Sequence, residues 1–570
     1  MNLSCQKYSI ILILFGINLI LSSTIIIFEK VWYAFIIFLC IPSLLYSFSS
    51  LLIMINNLCK KENDYDIKRN NIGKNYLYVM PCYNESELEL KQTLDSLVNQ
   101  KICAKDKRAI VILCDGKVIG QGNNKPTNEI LLEILQNNNK PIIYSYTTRE
   151  GITNYINLYI GKYNQINYIL MIKDKNFGKR DSLVLIRRLC FYYYSNFYLN
   201  YSYYNNYSES NKYVSNIFIK SMNLIFNNIF NNHNIDYIIN IDADTIFDFN
   251  CTYELIKGIE TNDNNVGCVG YVDINITNSI FNPYNLYQYA EYMFSQCLKR
   301  VAQSTITHKV NCLSGCIQIL KVCEENCGEL ILEKFNYCPK ENDNIFTHIR
   351  GIASEDRNHI CIMHSIYPNV RTVQNLSAIC YTNVPKSLRV FLSQRRRWTL
   401  GAISNDLLLL FSPNINIFER IASFVNIFTL GLMPFIFIAT ILFIKNLINN
   451  PSYLMLYLSI IMIIPLSYGL LIPIFIKRML FKNAIYFYTS YIFFLTFGFI
   501  ITLTIYTYSL LGMDTITWGK TRSINTDTNT DTNTDTNTDT FNININELEY
   551  DDFIDYKNIL NPISSRETDV

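Results

Sequence analysis

The chain carries almost no excess charge. Its 49 Lys and Arg stand against 47 Asp and Glu, a net +2 over 570 residues. A balance this close to neutral gives no global electrostatic footprint for nucleic acid, so none is expected as a partner. Cysteine is not scarce, at 17, but a cysteine-dense module is missing, which argues against a disulfide framework. The tightest group is Cys312, Cys316, Cys323 and Cys327. Its gaps approach zinc-ligand spacing, yet no histidine pair accompanies it, and buried free thiols are the expected reading. Also missing is a small-residue cleavage site with a polar chain after it: a second apolar stretch follows the first, so a cleaved signal peptide is not expected.

Long apolar runs are what the chain has. Residues 8–28 hold no charge and are long enough to span a bilayer, and 32–56 form a second such run. Only Glu29 and Lys30 charge the loop between them, whereas Lys60, Lys61, Lys68 and Arg69 follow. The positive-inside rule then places the N-terminus and everything after residue 60 in the cytoplasm. Apolar blocks return at about 420–445, 453–476 and 484–511. The repeat "NTDTNTDTNTDTNTDT", 525–540, has no apolar side chain and predicts a disordered linker before a short acidic tail. The chain therefore divides into two transmembrane helices (1–57), a mixed globular domain (75–380), interfacial helices (381–418), a C-terminal membrane region (419–512), a loop (513–524) and the linker with its tail (525–570).

Residues 75–380 read as a soluble α/β domain. The short runs "YLYVM", "AIVILC" and "YIINI" alternate with helix-like stretches, the pattern of βαβ units and a mostly parallel sheet. Residues 191–213, rich in Tyr, Asn and Ser, are expected as a surface insertion, and Ile217, Met222, Ile225 and Ile229 predict a helix over 214–230.

Several stretches carry chemistry. In "YIINIDADT" (237–245) the apolar run puts Asp242 and Asp244 at the carboxyl end of a strand, where open α/β sheets bind ligands. Side chains two apart on a strand share a face, and two carboxylates there suit a hard divalent cation that also holds a diphosphate. Acidic pairs occur in solvated turns as well. "AIVILCDG" (109–116) ends a second buried strand at Asp115, which either accepts hydrogen bonds from a base or ribose or belongs to a plain Asp-Gly turn. "KNFGKRDS" (175–182) sets Gly178 before Lys179 and Arg180, a cationic turn suited to a phosphate and also common in surface loops. "ASEDRNHI" (353–360) offers Glu355 and Asp356, either as a helix N-terminus matched to the dipole or as a general base. "SQRRRWTLG" (393–401) places Gln394, Arg395, Arg396, Arg397 and Trp398 beside the membrane, where headgroup-binding arginines and an interface tryptophan are the bland account. As a set, these groups describe transfer of a sugar from a nucleotide diphosphate sugar.

The ordered series "VMPCYNES" (79–86), "CDG" (114–116), "KNFGKRDS", "DADT" (242–245), "CLSGC" (312–316), "SEDR" (354–357), "SQRRRW" (393–398) and "TWGKTR" (517–522) resembles fungal-type chitin synthases. It looks closest to the branch whose pattern contains "GKRDS" and "SWGNTR". Departures fall at Ser314, where the family often has proline, at Ser354, where it has glycine, and at Lys520, where that branch has asparagine. The resemblance implies a processive, inverting family 2 glycosyltransferase. Its α/β domain would be of GT-A type, with a mostly parallel sheet, embedded in an α-helical multi-pass membrane protein. UDP-N-acetylglucosamine would be the donor and a growing chitin chain the acceptor. Asp115, Lys179, Asp242, Arg397, Trp518, Lys520 and Arg522 would serve the donor. Asp244 with Asp242 would hold Mg2+ or Mn2+. Asp356 would be the base, with Glu355 and Arg357 in the same catalytic motif. Gln394 and Trp398 would meet the acceptor sugar, while Arg395 and Arg396 remain readable as headgroup contacts. The plasma membrane with a cytoplasmic catalytic domain is the expected setting, and a homodimer is left open. A hyaluronan or cellulose-like synthase, and a non-enzymatic membrane receptor or scaffold, are the rival functions.

One conflict arises from counting spans. Three full crossings after a cytoplasmic domain would put Trp518, Lys520 and Arg522 outside, away from any donor. Lys477, Arg478 and Lys482 mark the preceding loop as cytoplasmic. The block at 484–511 is therefore expected to bend back, with Gly498 as the break, or to lie against the catalytic domain, which returns "TWGKTR" to the cytoplasm as a gate.

Overall fold

The computed structural model describes residues 2–28, 32–59, 73–120, 122–198, 213–275, 282–385, 387–477 and 479–515. The loop with Trp518, Lys520 and Arg522, the repeat and the acidic tail lie outside the described residues.

The apolar runs form the strands expected of them. Asn75–Cys82 (β1) and Lys107–Cys114 (β2) are almost fully buried, and Tyr237–Asn240 (β6) is buried throughout. Runs buried on both faces belong in the middle of a sheet covered by helices, and β1 pairs in parallel with both β2 and β6. Ile142–Thr147 (β3), Thr153–Tyr163 (β4), Ile166–Lys173 (β5), Ile246–Phe247 (β7), Asn265–Ile274 (β8), Gln318–Lys321 (β9) and Arg371–Thr382 (β10) complete ten strands in the order β3-β4-β5-β2-β1-β6-β9-β8-β10-β7. Following the pairings outward from β1, seven strands share its direction and only β4, β9 and β7 oppose it. The sheet is thus mostly parallel, in an α/β domain.

Local chemistry sets the helix ends. Ser86 and Glu89 form a reciprocal capping box at the start of Glu87–Val98. Ser215 caps Asn216–Phe230, which ends at Asn231 in the left-handed region. The expected surface insertion begins later than its composition suggested. Gly178–Tyr198 is one helix, buried on every side from Arg180 to Tyr193 and so including the aromatics Phe191, Tyr192 and Tyr193; 199–212 lie outside the described residues.

The membrane helices are Leu3–Ile27, Trp32–Cys59 and Tyr453–Leu471 with its π-helical extension to Ile476. The block at 420–445 is not one straight helix. Ile417–Gly431 and Met433–Asn449 meet at an 80° bend, where Gly431 ends one helix and Pro434 starts the next. The break expected at Gly498 does not occur: Phe481–Leu511 is one helix of 31 residues. It lies against the α/β domain and the QRRRW helix at both ends. Near its start Tyr486 packs edge-on to Tyr289, with centroids 4.9 Å apart, and near its end Arg396 sits 5.5 Å from the Tyr508 ring. Midway, Tyr287 stacks on Phe494 and hydrogen-bonds Thr502. Beyond it, Lys7 pairs with Asp514 at 2.9 Å and Arg396 donates to Thr515 at 3.2 Å. The first turn of the chain and the segment entering residue 516 therefore share one face, the face of the α/β domain.

Candidate active site

The site gathers where the carboxyl ends of the parallel strands meet two helices, Glu355–Ile366 and Leu388–Phe411. β6 ends at Asn240, so Asp242 and Asp244 stand in the turn after it, not on the strand itself; its pleat does not put them on a common face. Lys179, in the first turn of Gly178–Tyr198, reaches across to Asp242 at 2.5 Å and to Glu355 at 3.6 Å. Gly178 opens that helix at φ +87°, a backbone state that suits glycine. Arg180 does not join Lys179. It is buried and donates to the carbonyls of Phe335 and Arg350 and to Asn358 Oδ1, so only one cation of the pair faces the site.

Asp356 is the carboxylate with the most unusual surroundings. The Gly315 N–H donates to its Oδ2 at 2.8 Å, while Oδ1 is buried and has no hydrogen-bond partner. A Cβ at Gly315 would lie 2.6 Å from Oδ1, so only glycine brings this backbone to the carboxylate. Burial pushes the Asp356 carboxyl up to about 6; the Lys179 charge works against the rise, and Glu355 and Asp242 add to it. Burial also disfavours charge on Glu355, but Lys179, a backbone hydrogen bond, Arg180 and Arg397 together hold it below its ordinary range. Two adjacent carboxyls thus have opposite leanings, the pattern of a proton acceptor beside a permanent anion.

Asp115 follows β2 directly, with Gly116 in a turn at φ +89°. Its Oδ1 accepts from Lys173 at 2.9 Å and from the Phe177 N–H at 3.2 Å, while Oδ2 is buried without a partner. Lys173, fully buried, also pairs with Asp181 at 2.8 Å. The charge on Asp115 is offset internally, leaving Oδ2 as a spare acceptor.

The QRRRW residues lie inside Leu388–Phe411 and part company. Arg395 is only 2% exposed: its guanidinium forks onto Glu291, reaches Gln288 and Gln394, and stacks 4.3 Å from the Trp398 ring. The headgroup reading of Arg395 is excluded by that burial. Arg396 is likewise committed to protein, at Tyr508 and Thr515. Arg397 is partly buried and near enough to Glu355 to influence it electrostatically. Trp398 is 41% exposed and leans on Tyr292 at 5.9 Å. Arg357 turns toward Asp406, 3.9 Å away, as a tie between the two helices. Sequence reasoning gave no role to Gly315, Glu291 or Asp406, and it gave Arg180 a phosphate role that its burial removes; "CLSGC" was legible as a motif, but the partner of its glycine was not.

Among the described residues no three His, Cys, Asp or Glu side chains gather for a metal. The four cysteines of the 312–327 group do not converge: Cys312 lies by Arg300 and Arg357, Cys327 by Arg187. At the end of β6, two carboxylates can supply part of a cation's shell and leave the remainder to oxygen ligands from a diphosphate.

Residues 50–557 match the family described as chitin synthase. The chain belongs to the chitin synthase family. It is 34% identical to chitin synthase 8 of Gibberella zeae over 92% of this chain and 78% of that protein. It is 31% identical to chitin synthase 8 of Verticillium dahliae over 76% of this chain and 74% of that protein. Among solved structures, a mannosyltransferase from Pyrobaculum calidifontis in complex with GDP-Man and Mn2+ aligns at 11% identity and a TM-score of 0.41, covering 83% of this chain and 98% of that one. The protein is thus a membrane glycosyltransferase that makes chitin, with a mostly parallel α/β domain.

In this chitin synthase, left-handed Ser354 (φ +55°) explains the departure noted at that position: glycine adopts the same backbone freely, and serine does so at a cost. The buried Asp356 carboxyl has a pH signature. If Asp356 serves as the base it must be deprotonated to act, and kcat/KM should then be flat well above pH 6 and fall about tenfold per unit below it. Asp406, also pushed up to about 6 by burial, could titrate in the same window. The acid limb should persist in Asp406→Asn, and its loss there would reassign the limb to Asp406.

Proposed function

We propose that this chitin synthase transfers N-acetylglucosamine from UDP-N-acetylglucosamine to the 4-hydroxyl of a growing β-1,4 chain, with inversion, and passes the product across the membrane. The observation that carries the reading is the Asp356 carboxyl: buried, fixed by the Gly315 N–H at one oxygen and free at the other, beside Lys179 and the Asp242/Asp244 turn.

Asp356 Oδ1 accepts the proton of the acceptor hydroxyl as that oxygen attacks the anomeric carbon, and the bond to UDP breaks on the opposite face. Asp115 Oδ2 accepts a hydrogen bond from the donor's uridine. Asp242 and Asp244 hold Mg2+ or Mn2+, which when bound neutralises diphosphate charge. Lys179 exchanges part of its pairing with Asp242 for the donor phosphates, and Arg397 offsets charge on the departing diphosphate. Trp398 offers its open face to the acceptor sugar, with Gln394 beside it. Arg395 orients both without touching substrate. Trp518, Lys520 and Arg522, outside the described residues, serve the donor as well.

Radiolabelled UDP-N-acetylglucosamine given to the purified protein with Mg2+ or Mn2+ should yield chitinase-sensitive polymer, suppressed by chelation. Equal incorporation of glucose or glucuronic acid into chitinase-resistant product would overturn the reading. With the catalytic face cytoplasmic, the proposal also puts the C-terminal tail inside; what supports it is that residues 514 and 515 are fastened to that face. A cysteine introduced within 525–540, in a background checked for other reactive thiols, should react with an impermeant reagent only after permeabilisation. Labelling in sealed cells would place the tail outside.

A further inference from the structure

The helix that begins at Glu355 and the helix that carries Trp398 touch at a point with no spare volume. Gly401 sits in the interior of Leu388–Phe411, where glycine costs about 1 kcal/mol relative to alanine. A Cβ there would lie 1.8 Å from Ser354 Oγ and 2.5 Å from Ser354 Cβ. Ser354 for its part is held in the left-handed region, with its Oγ 3.4 Å from the Arg397 carbonyl oxygen. One turn further along both helices, Asn358 Nδ2 donates to Asn405 Oδ1 at 3.0 Å, and Asn405 Nδ2 donates to the Gly401 carbonyl at 2.8 Å. Both asparagines are buried. Asn358 Oδ1 accepts from Arg180, which also gathers the Arg350 carbonyl ahead of Ser354. An amide bridge between buried asparagines stays worthwhile only while both partners remain in place.

We propose that Gly401, Asn358 and Asn405 are positioning residues that, through the close approach of Gly401 to residue 354, fix the acceptor platform relative to the proton acceptor. Ser354 immediately precedes Glu355 and Asp356, while Gly401 lies within one helical turn of Arg397 and Trp398. A shift at this contact moves Trp398 against Asp356 and leaves Asp242, Asp244 and Asp115, which stand in the turns that follow β6 and β2, where they are. The contact therefore governs transfer to a sugar and has little hold on donor binding or on attack by water, which needs no platform. A displacement near 1 Å between reacting groups can cost about a hundredfold. The inference rests on the roles given above to Asp356 and Trp398.

The test is a double-mutant cycle on the full-length protein in detergent, reading polymer formation and UDP release by hydrolysis side by side. Gly401→Ala should lower polymer formation at least tenfold, with hydrolysis and donor KM changed less than threefold. Ser354→Gly alone should stay within about twofold, since glycine accepts the left-handed backbone. In Ser354→Gly/Gly401→Ala the nearest remaining atom is the residue 354 Cα, 3.7 Å from the new methyl, an ordinary contact. Polymer formation should then return to within threefold of wild type. An equal fall in both readouts, or no recovery in the double variant, would overturn the proposal. If Gly401→Ala does not fold, Asn405→Ala carries the same split, and an equal fall there overturns the proposal as well. Asp356→Asn and Trp398→Ala run in parallel: activity surviving in either one defeats the underlying roles, and the Ser354–Gly401 rescue is scored independently of them.

Discussion

Asp356→Asn should lower polymer synthesis by about 10²–10⁴-fold, the usual contribution of a general base, and leave UDP affinity within about twofold. The amide keeps the size of the carboxyl, and its oxygen can still accept the Gly315 N–H that now meets Oδ2 at 2.8 Å. What it cannot do is take a proton at the position of Oδ1, the buried oxygen without a partner. The donor-side groups, Asp115, Lys179 and the Asp242/Asp244 turn, hang from other elements and keep their places. The result that would remove Asp356 from the role is synthesis within threefold of wild type. A variant that loses synthesis and UDP binding together would point to a structural carboxylate. Glu355 is the natural alternative, yet the cations around it stabilise its charged form and weaken it as a base.

Arg395→Lys should cost at least tenfold in polymer synthesis and about 3 kcal/mol in stability, a magnitude typical of breaking a buried, forked ion pair. In a chain this large that is expected to lower the thermal transition by only about 3 °C. Arg395 bonds Glu291 through Nε and Nη2, reaches Gln394 through Nη1, and sets its guanidinium carbon 4.3 Å from the centre of the Trp398 ring. A lysine ammonium cannot fork, cannot stack in this way, and leaves Glu291 short of partners. The misplacement of Gln394 and Trp398 is what should appear in synthesis. If Arg395 only met lipid headgroups, lysine would serve as well; activity and transition both unchanged in Arg395→Lys would support that view against the buried geometry.

Much of the domain could be read before any coordinates. The runs at 75–82, 107–114 and 237–240 are apolar on both faces, and such segments become the middle of a helix-covered sheet. Asp115 and Asp242 follow the last two of them, at the strand ends where open α/β sheets bind ligands. Less legible was the last apolar block. Composition describes 481–511 as a span, and nothing local distinguishes a helix facing lipid on all sides from one lying along a protein surface. Tyr287, Tyr289 and Arg396 settle that question from far away in the sequence. The break predicted at Gly498 was sought there because glycine is a common place for one; the chain instead bends at Gly431 and Pro434, where a glycine and a proline combine.

The stretch "QRRRW" shows where sequence by itself stops. The residue types determine that this helix carries cations and an aromatic at a membrane border, and the neighbouring motifs determine the chemistry it serves. They do not determine which arginine does what. Successive residues on a helix point about 100° apart, so Arg395, Arg396 and Arg397 must face three ways, and their order alone ranks none of them. Only the docking of Leu388–Phe411 against Pro283–Phe294, Phe481–Leu511 and Glu355–Ile366 assigns one direction to Glu291, one to residues 508–515 and one to Glu355. Arg395 and Glu291 are 104 residues apart in the chain. A contact at that separation is set by how whole elements bury their faces, which no local pattern around either residue encodes.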